Sequence, residues 1–259
     1  MNGNCMILKP TPTWDRVARR KPARHKVQAI KSPFMNISSQ THSDIQALLA
    51  ANKRWAAETS AAKPDFFTTL MAQQAPQYMW VGCSDSRVPA NQITGLAPGE
   101  VFVHRNVANM VVHSDLNMLS AVQYAVDILE IKHLLIVGHY GCGGVGAALS
   151  NIRVGLADNW IRHIKDVRNL HWDFLASIPE EKRHATLCEL NVVEQTFNAA
   201  RSSVLQDAWE RGHELSVHGW IYGLKDGLLH DLHIDISNRS ETKAHYDQAI
   251  AIIKERASS

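Results

Sequence analysis

The chain has 259 residues, 45% of them hydrophobic and 20% charged, enough to bury the core of one large α/β domain. No run reaches the 18 or so apolar residues of a membrane-spanning helix, and four cysteines in a chain this long exclude a small disulfide scaffold. The net charge of +2 is uneven: residues 1–36 hold eight of the 27 Lys and Arg and a single acid, Asp15, for +7, while the remaining 19 basic and 24 acidic residues leave −5.

Residues 1–36 therefore form a basic, Pro-dotted segment ahead of a mildly acidic body. Cys5-Met6-Ile7-Leu8, ended by Lys9-Pro10, is too short for the apolar stretch of a secretion signal. One reading of the segment is a targeting or nucleic-acid arm. The other is a disordered extension ahead of Met35, and the lack of hydrophobic periodicity or interleaved aromatics favours it. A globular domain is expected over 37–259, in the cytoplasm, with reduced thiols and with neither a nucleic-acid nor a membrane partner.

From residue 41 the pattern becomes periodic. Ile45, Leu48, Leu49, Trp55 and Ala56 recur at helical spacing over 41–59, behind Ser43 or Asp44 as caps. A short helix over 64–74 follows, opened by Pro64. Residues 78–82 read as a buried strand running into Cys83, and 100–104 as a second strand after the turn Ala97-Pro98-Gly99. Leu119, Val122, Val126 and Leu129 mark one face of a helix over 114–130, capped by Ser114 or Asp115. Residues 133–138 form a continuous apolar run, the pattern of a parallel strand covered on both faces.

One long helix is predicted from Pro179 to Gly212. Strands over 215–222 and 228–236, joined by a hairpin-like 223–227, and a final helix over 242–253 complete the chain. Strands alternating with helices predict an α/β fold: a mostly parallel sheet flanked by helices, with one antiparallel edge strand.

Two segments stand where buried strands end. They are Gly82-Cys83-Ser84-Asp85-Ser86-Arg87-Val88-Pro89 and Val137-Gly138-His139-Tyr140-Gly141-Cys142-Gly143-Gly144. In open parallel sheets, ligands bind outside the C-terminal strand ends, so the two segments can converge despite their separation. Two thiolates and one imidazole suit zinc held tetrahedrally with one position open. Gly141, Gly143 and Gly144 let the backbone bend and approach a very small substrate. Asp85 is the candidate fourth ligand, but Arg87 competes for it, which suggests an orienting or switching pair. Cys188 is expected to be a core residue. His104, His113, His163, His171 and His218 receive no role.

These residues resemble the signature blocks of the β-class carbonic anhydrases: Cys83-Ser84-Asp85-Ser86-Arg87, His104-Arg105-Asn106-Val107-Ala108-Asn109 and His139-Tyr140-Gly141-Cys142-Gly143-Gly144. The resemblance runs from about Ser43 to the strand over 228–236 and leaves out residues 1–36. It implies one zinc ion per subunit on Cys83, His139 and Cys142, with the Asp85–Arg87 pair beside it. It also implies reversible hydration of carbon dioxide to bicarbonate and a proton by zinc-bound hydroxide, in a homodimer or homotetramer. A glutamine before the first metal strand helps to bind substrate in the family, and Gln74 matches it, with Gly143 and Gly144 beside the site.

A bacterial subgroup (type II) is regulated by bicarbonate held by a Trp, an Arg and a Tyr. Trp80, Arg105 and Tyr222 stand at the matching places, with Gly82 leaving room for the anion. In that subgroup Asp85 would leave Arg87 and bind zinc as fourth ligand in a closed, inactive state. Two alternatives share the ligands: hydrolysis of carbonyl sulfide or carbon disulfide, and a non-enzymatic zinc-binding protein with Asp85 as a permanent ligand.

Overall fold

The computed structural model describes residues 41–72 and 74–259. The basic segment 1–36 and its expected boundary at 36/37 lie outside the described residues. Two units are distinguished, Met1–Ala57 and Glu58–Ser259. The first is described only from residue 41, as the beginning of α1 (Thr41–Ala62).

In chain order, α2 (Phe66–Ala72), β1 (Tyr78–Cys83), α3 (Ala90–Thr94), β2 (Val101–Asn106), α4 (Leu116–Asp127) and β3 (His133–His139) lead to the second signature segment. The helices α5 (Gly143–Ser150), α6 (Ala157–Trp160), α7 (Arg162–Leu170) and α8 (Trp172–Ser177) follow. The chain continues through α9 (Glu180–Ala200), α10 (Ser203–Glu210), β4 (Ser216–Tyr222), β5 (Leu229–Ile236) and α11 (Thr242–Ser258).

The five strands lie in the order β2-β1-β3-β4-β5. β2, β1, β3 and β4 are parallel, and β5 runs antiparallel to β4 at the edge. The expected architecture is therefore the observed one. Central β1 and β3 are buried along nearly their whole length, as their unbroken apolar runs predict. Edge strand β5 instead alternates, with Leu232, Ile234 and Ile236 buried and His233 and Asp235 exposed. From β1 the chain steps outward to β2, and from β3 it steps the other way to β4. The crevice between the C-terminal ends of β1 and β3 is thus the point where the winding reverses, the position where such sheets hold ligands.

Met79, Val81, Leu134 and Ile136 point to one face of the sheet and join a core with α4 and α10. Trp80, Leu135 and Val137 point to the other, against Val88 and Ala90. α9 is the organising helix, with 13 of its residues buried. It lies so close to the sheet that a Cβ at Gly138 would come 2.5 Å from Val192, and one at Gly219 would come 2.8 Å from Thr196.

Two expectations change in detail. The helix predicted over 179–212 is two helices, because Ser202 leaves the helical conformation and its hydroxyl caps α10 on the Leu205 amide. The helix predicted over 114–130 begins at Leu116, with Asp115 accepting from the amides of Asn117 and Met118.

Candidate metal centre

Cys83 ends β1, His139 ends β3, and Cys142 stands three residues further on, immediately before α5. Gly141, at φ +72°, makes the turn between the last two. All three side chains are buried, and their ligand atoms lie within 4.8 Å of one another. The two sulfurs are 4.0 Å apart. Two Zn–S bonds of about 2.3 Å at the tetrahedral angle set sulfurs about 3.8 Å apart, so the donors are already spaced for zinc.

The Nδ1–H of His139 donates to the carbonyl of Tyr140 at 3.0 Å, which fixes the tautomer and turns Nε2 toward the sulfurs. Nε2 is buried and has no hydrogen-bond partner among the described residues. A buried polar atom left alone is costly, and a metal ion is the partner this one fits.

The thiols make the same point. The bond from Cys142 draws Cys83 down to about 4, helped by His139 and by the backbone at Asp85 and Ala108 against the cost of burial. The same bond, together with burial, pushes Cys142 up. Two sulfurs this close hold one proton between them, and a divalent cation lets both ionise. The donor set therefore fits zinc.

Beside the triad, Arg87 grips both oxygens of Asp85, and Asp85 Oδ2 stands 3.8 Å from His139 Nε2. Arg105 reaches across from β2 and donates twice to the Cys83 carbonyl, at 2.9 and 3.0 Å, and once to the Asp85 carbonyl at 2.5 Å. The segment that carries one ligand and the acid is thus held by a neighbouring strand.

A carbonic anhydrase family model matches residues 78–229, which contain all of these groups. The chain belongs to the β-class carbonic anhydrases. It is 47% identical over 197 residues to a carbonic anhydrase of Emericella nidulans, covering 76% of this chain and 85% of the relative. The solved Coccomyxa β-carbonic anhydrase, in complex with acetazolamide, is similar at a TM-score of 0.73 and 39% identity, over 80% of this chain and 96% of that one. A tetrameric β-carbonic anhydrase of Sordaria macrospora is similar at a TM-score of 0.71 and 37% identity, over 75% and 99%.

The remaining expected residues of this carbonic anhydrase are less uniformly gathered. Gly143 has open space where a Cβ would stand, and Gly144 is closed in by Val107 and Ala108 at 3.2 and 3.3 Å. Gln74 is exposed in the loop before β1, and no hydrogen bond among the described residues ties it to the triad. Trp80 is fully buried with its indole N–H unpartnered. Gly82 lies directly over that ring, where a Cβ would stand 2.0 Å from Nε1. Tyr222 is half-buried in the same cluster.

The sequence reading missed the contribution of α9. His184 donates to the Cys142 carbonyl at 3.0 Å, and Asn191 to the Ala108 carbonyl at 3.1 Å. The Ala108 amide in turn donates to Cys83 Sγ at 3.4 Å. Gln195 accepts from the Val111 amide. Together with Cys188, these residues recur at i, i+4, i+7 and i+11, one stripe of the helix laid behind the metal segments. Polar residues at core spacing in a long helix were the available signal.

Proposed function

We propose that this β-class carbonic anhydrase works at a zinc ion held by Cys83, His139 and Cys142, interconverting carbon dioxide with bicarbonate and a proton. The observation that carries the reading is the buried convergence of two sulfurs and an unpartnered imidazole nitrogen at the switch point of the sheet. Zinc so held would lower the pKa of a bound water and so supply the nucleophile near neutral pH.

The protein's own groups supply the rest. Arg87 keeps Asp85 ionised, and Asp85 accepts a hydrogen bond beside His139 Nε2, orienting the attacking oxygen. Gly143 leaves room for a molecule as small as carbon dioxide. Gln74, exposed in the loop before β1, is proposed to help bind substrate. A homodimer or homotetramer is proposed, supported by similarity to the tetrameric Sordaria enzyme and by Leu116 and Tyr124 on α4 and Ile128 at its end, which are exposed apolar residues. A cytoplasmic location, and residues 37–259 as the catalytic domain, remain part of this reading. Among the described residues no helix is long and apolar enough to cross a membrane.

Regulation of the bacterial type II kind is proposed on Trp80, Gly82, Arg105 and Tyr222. Arg105 spends its donors on the carbonyls of Cys83 and Asp85. An anion that drew Arg105 away would free that segment, letting Asp85 leave Arg87 and take the open ligand position. Bicarbonate would then favour the inactive state by binding it better.

Assays of zinc-loaded protein on carbon dioxide, carbonyl sulfide and carbon disulfide, side by side, test the substrate. Turnover of carbon dioxide supports the reading. Turnover of the sulfur compounds alone would reassign the substrate, and zinc without an exchangeable position would make the site structural.

A further inference from the structure

Tyr140 lies between two of the proposed ligands, and all of its polar groups are committed. Its amide donates to the Tyr222 carbonyl at 3.0 Å, and its carbonyl accepts the Nδ1 proton of His139. Its hydroxyl donates to Glu189 Oε1 on α9. The other oxygen of Glu189 lies 2.7 Å from a guanidinium nitrogen of Arg256, in the last turn of α11. The Glu189 side chain is only 8% exposed. A continuous line of contacts therefore runs from the C-terminal helix to a metal-binding imidazole.

We propose that Glu189 and Arg256 are positioning residues for the metal centre, acting through Tyr140 on the ring of His139. The inference rests on the zinc reading above. Arg256 holds one oxygen of the buried Glu189 carboxylate, and the other accepts the Tyr140 hydroxyl. The hydroxyl holds the side chain while the amide holds the backbone, so the carbonyl that orients His139 is fixed at two points.

Removing Arg256 frees the Glu189 side chain to turn toward solvent, which releases the Tyr140 hydroxyl and lets the carbonyl behind His139 drift. Loss of a group bonded directly to a metal-bound histidine typically costs about 10–100-fold in metal affinity, and Arg256 and Glu189 act on such a group, the Tyr140 carbonyl, from further out.

The test is a competitive zinc titration against a chromogenic chelator, with the absorption spectrum of the cobalt-substituted protein and the Tm recorded in parallel. Full-length wild type, Arg256→Met, Arg256→Lys, Tyr140→Phe, Glu189→Gln and the double variant Tyr140→Phe/Arg256→Met are compared. Arg211→Met, which breaks an ion pair with Asp127 between α10 and α4, serves as the stability control. The expected result is a zinc affinity lowered by up to about 10-fold, the low end for a direct histidine partner, by Arg256→Met and by Tyr140→Phe, with a shifted cobalt spectrum. The double variant should lose no more than the worse single one, and Arg256→Lys should recover part of the loss.

A lowered Tm with wild-type zinc affinity and an unchanged cobalt spectrum would overturn the proposal, as would losses that simply add. If an Arg256 variant does not fold, Tyr140→Phe, which removes only the hydroxyl, carries the comparison, and wild-type zinc affinity in that variant would overturn the proposal. Failure of the wild type itself to bind zinc would instead sink the zinc reading.

Discussion

Arg87 meets Asp85 on both sides of the carboxylate, Nε to Oδ1 at 2.9 Å and Nη2 to Oδ2 at 2.7 Å, while its own amide donates to Oδ1 at 3.0 Å. This clamp, ahead of any other influence, holds Asp85 down at about 2. Asp85 is therefore an ionised acceptor at every working pH, and it does not carry protons near neutrality.

The clamp has a consequence for stability. Because the native pKa is depressed, its contribution is complete above the ordinary carboxylate value of about 4 and is lost as pH falls through about 2. Arg87→Ala should thus be less stable than wild type by a constant amount from pH 5 to 8, with the gap closing between about pH 4 and 2. Urea unfolding across that range checks it. A gap that persists undiminished at pH 2 would contradict the clamp.

Zinc uptake should release close to one proton per site at neutral pH. The contact between the two sulfurs draws Cys83 down and, with burial, pushes Cys142 up, so the pair holds about one proton for the metal to displace. Calorimetric titration of zinc into chelator-treated protein, in buffers of different ionisation enthalpy, counts the protons. Release of two, or of none, would contradict the shared-proton pair.

Gly219→Ala should destabilise the fold without altering zinc binding. The added methyl would stand 2.5 Å from Ile234 and 2.8 Å from Thr196, where a β-branched strand residue and a buried helix leave little freedom. Overpacking of this kind costs about 1–3 kcal/mol, and about 2–4 °C of Tm per kcal/mol is expected for a chain of this size. An unchanged Tm would show that α9 sits less tightly than the structure indicates.

Arg105→Ala should change regulation. It removes three donors from the Cys83 and Asp85 carbonyls and, on the proposed reading, the group that binds the regulatory anion. Rates measured with increasing added bicarbonate should lose their inhibition, and the pH profile should shift. Unchanged bicarbonate sensitivity together with an unchanged pH profile would remove the regulatory proposal.

The strands were legible because β1 and β3 are continuous apolar runs, and the antiparallel edge because a hairpin-like connector joins β4 to β5. The triad was legible for a related reason: ligand-type residues followed directly on those runs. Short helices α5 to α8 were not, since they lie in a stretch whose apolar residues serve several small contacts rather than one long face. The break at Ser202 was hidden by helical periodicity that continues through it. The support from His184, Glu189 and Asn191 was hidden for another reason. Polar residues in a helix suggest a wet face until the elements behind it are known. Arg256 was the hardest to foresee, because it meets Glu189 only after α11 has docked on α9.

The most direct test of the central claim is stopped-flow carbon dioxide hydration by zinc-loaded protein, from slightly acid to clearly alkaline pH. Two thiolates cancel the charge of the ion, so the pKa of the bound water should lie above the value of about 7 found with three imidazoles. The account predicts a rate that requires zinc and climbs through the alkaline side of neutrality. No hydration at any pH, with zinc fully bound, would contradict it.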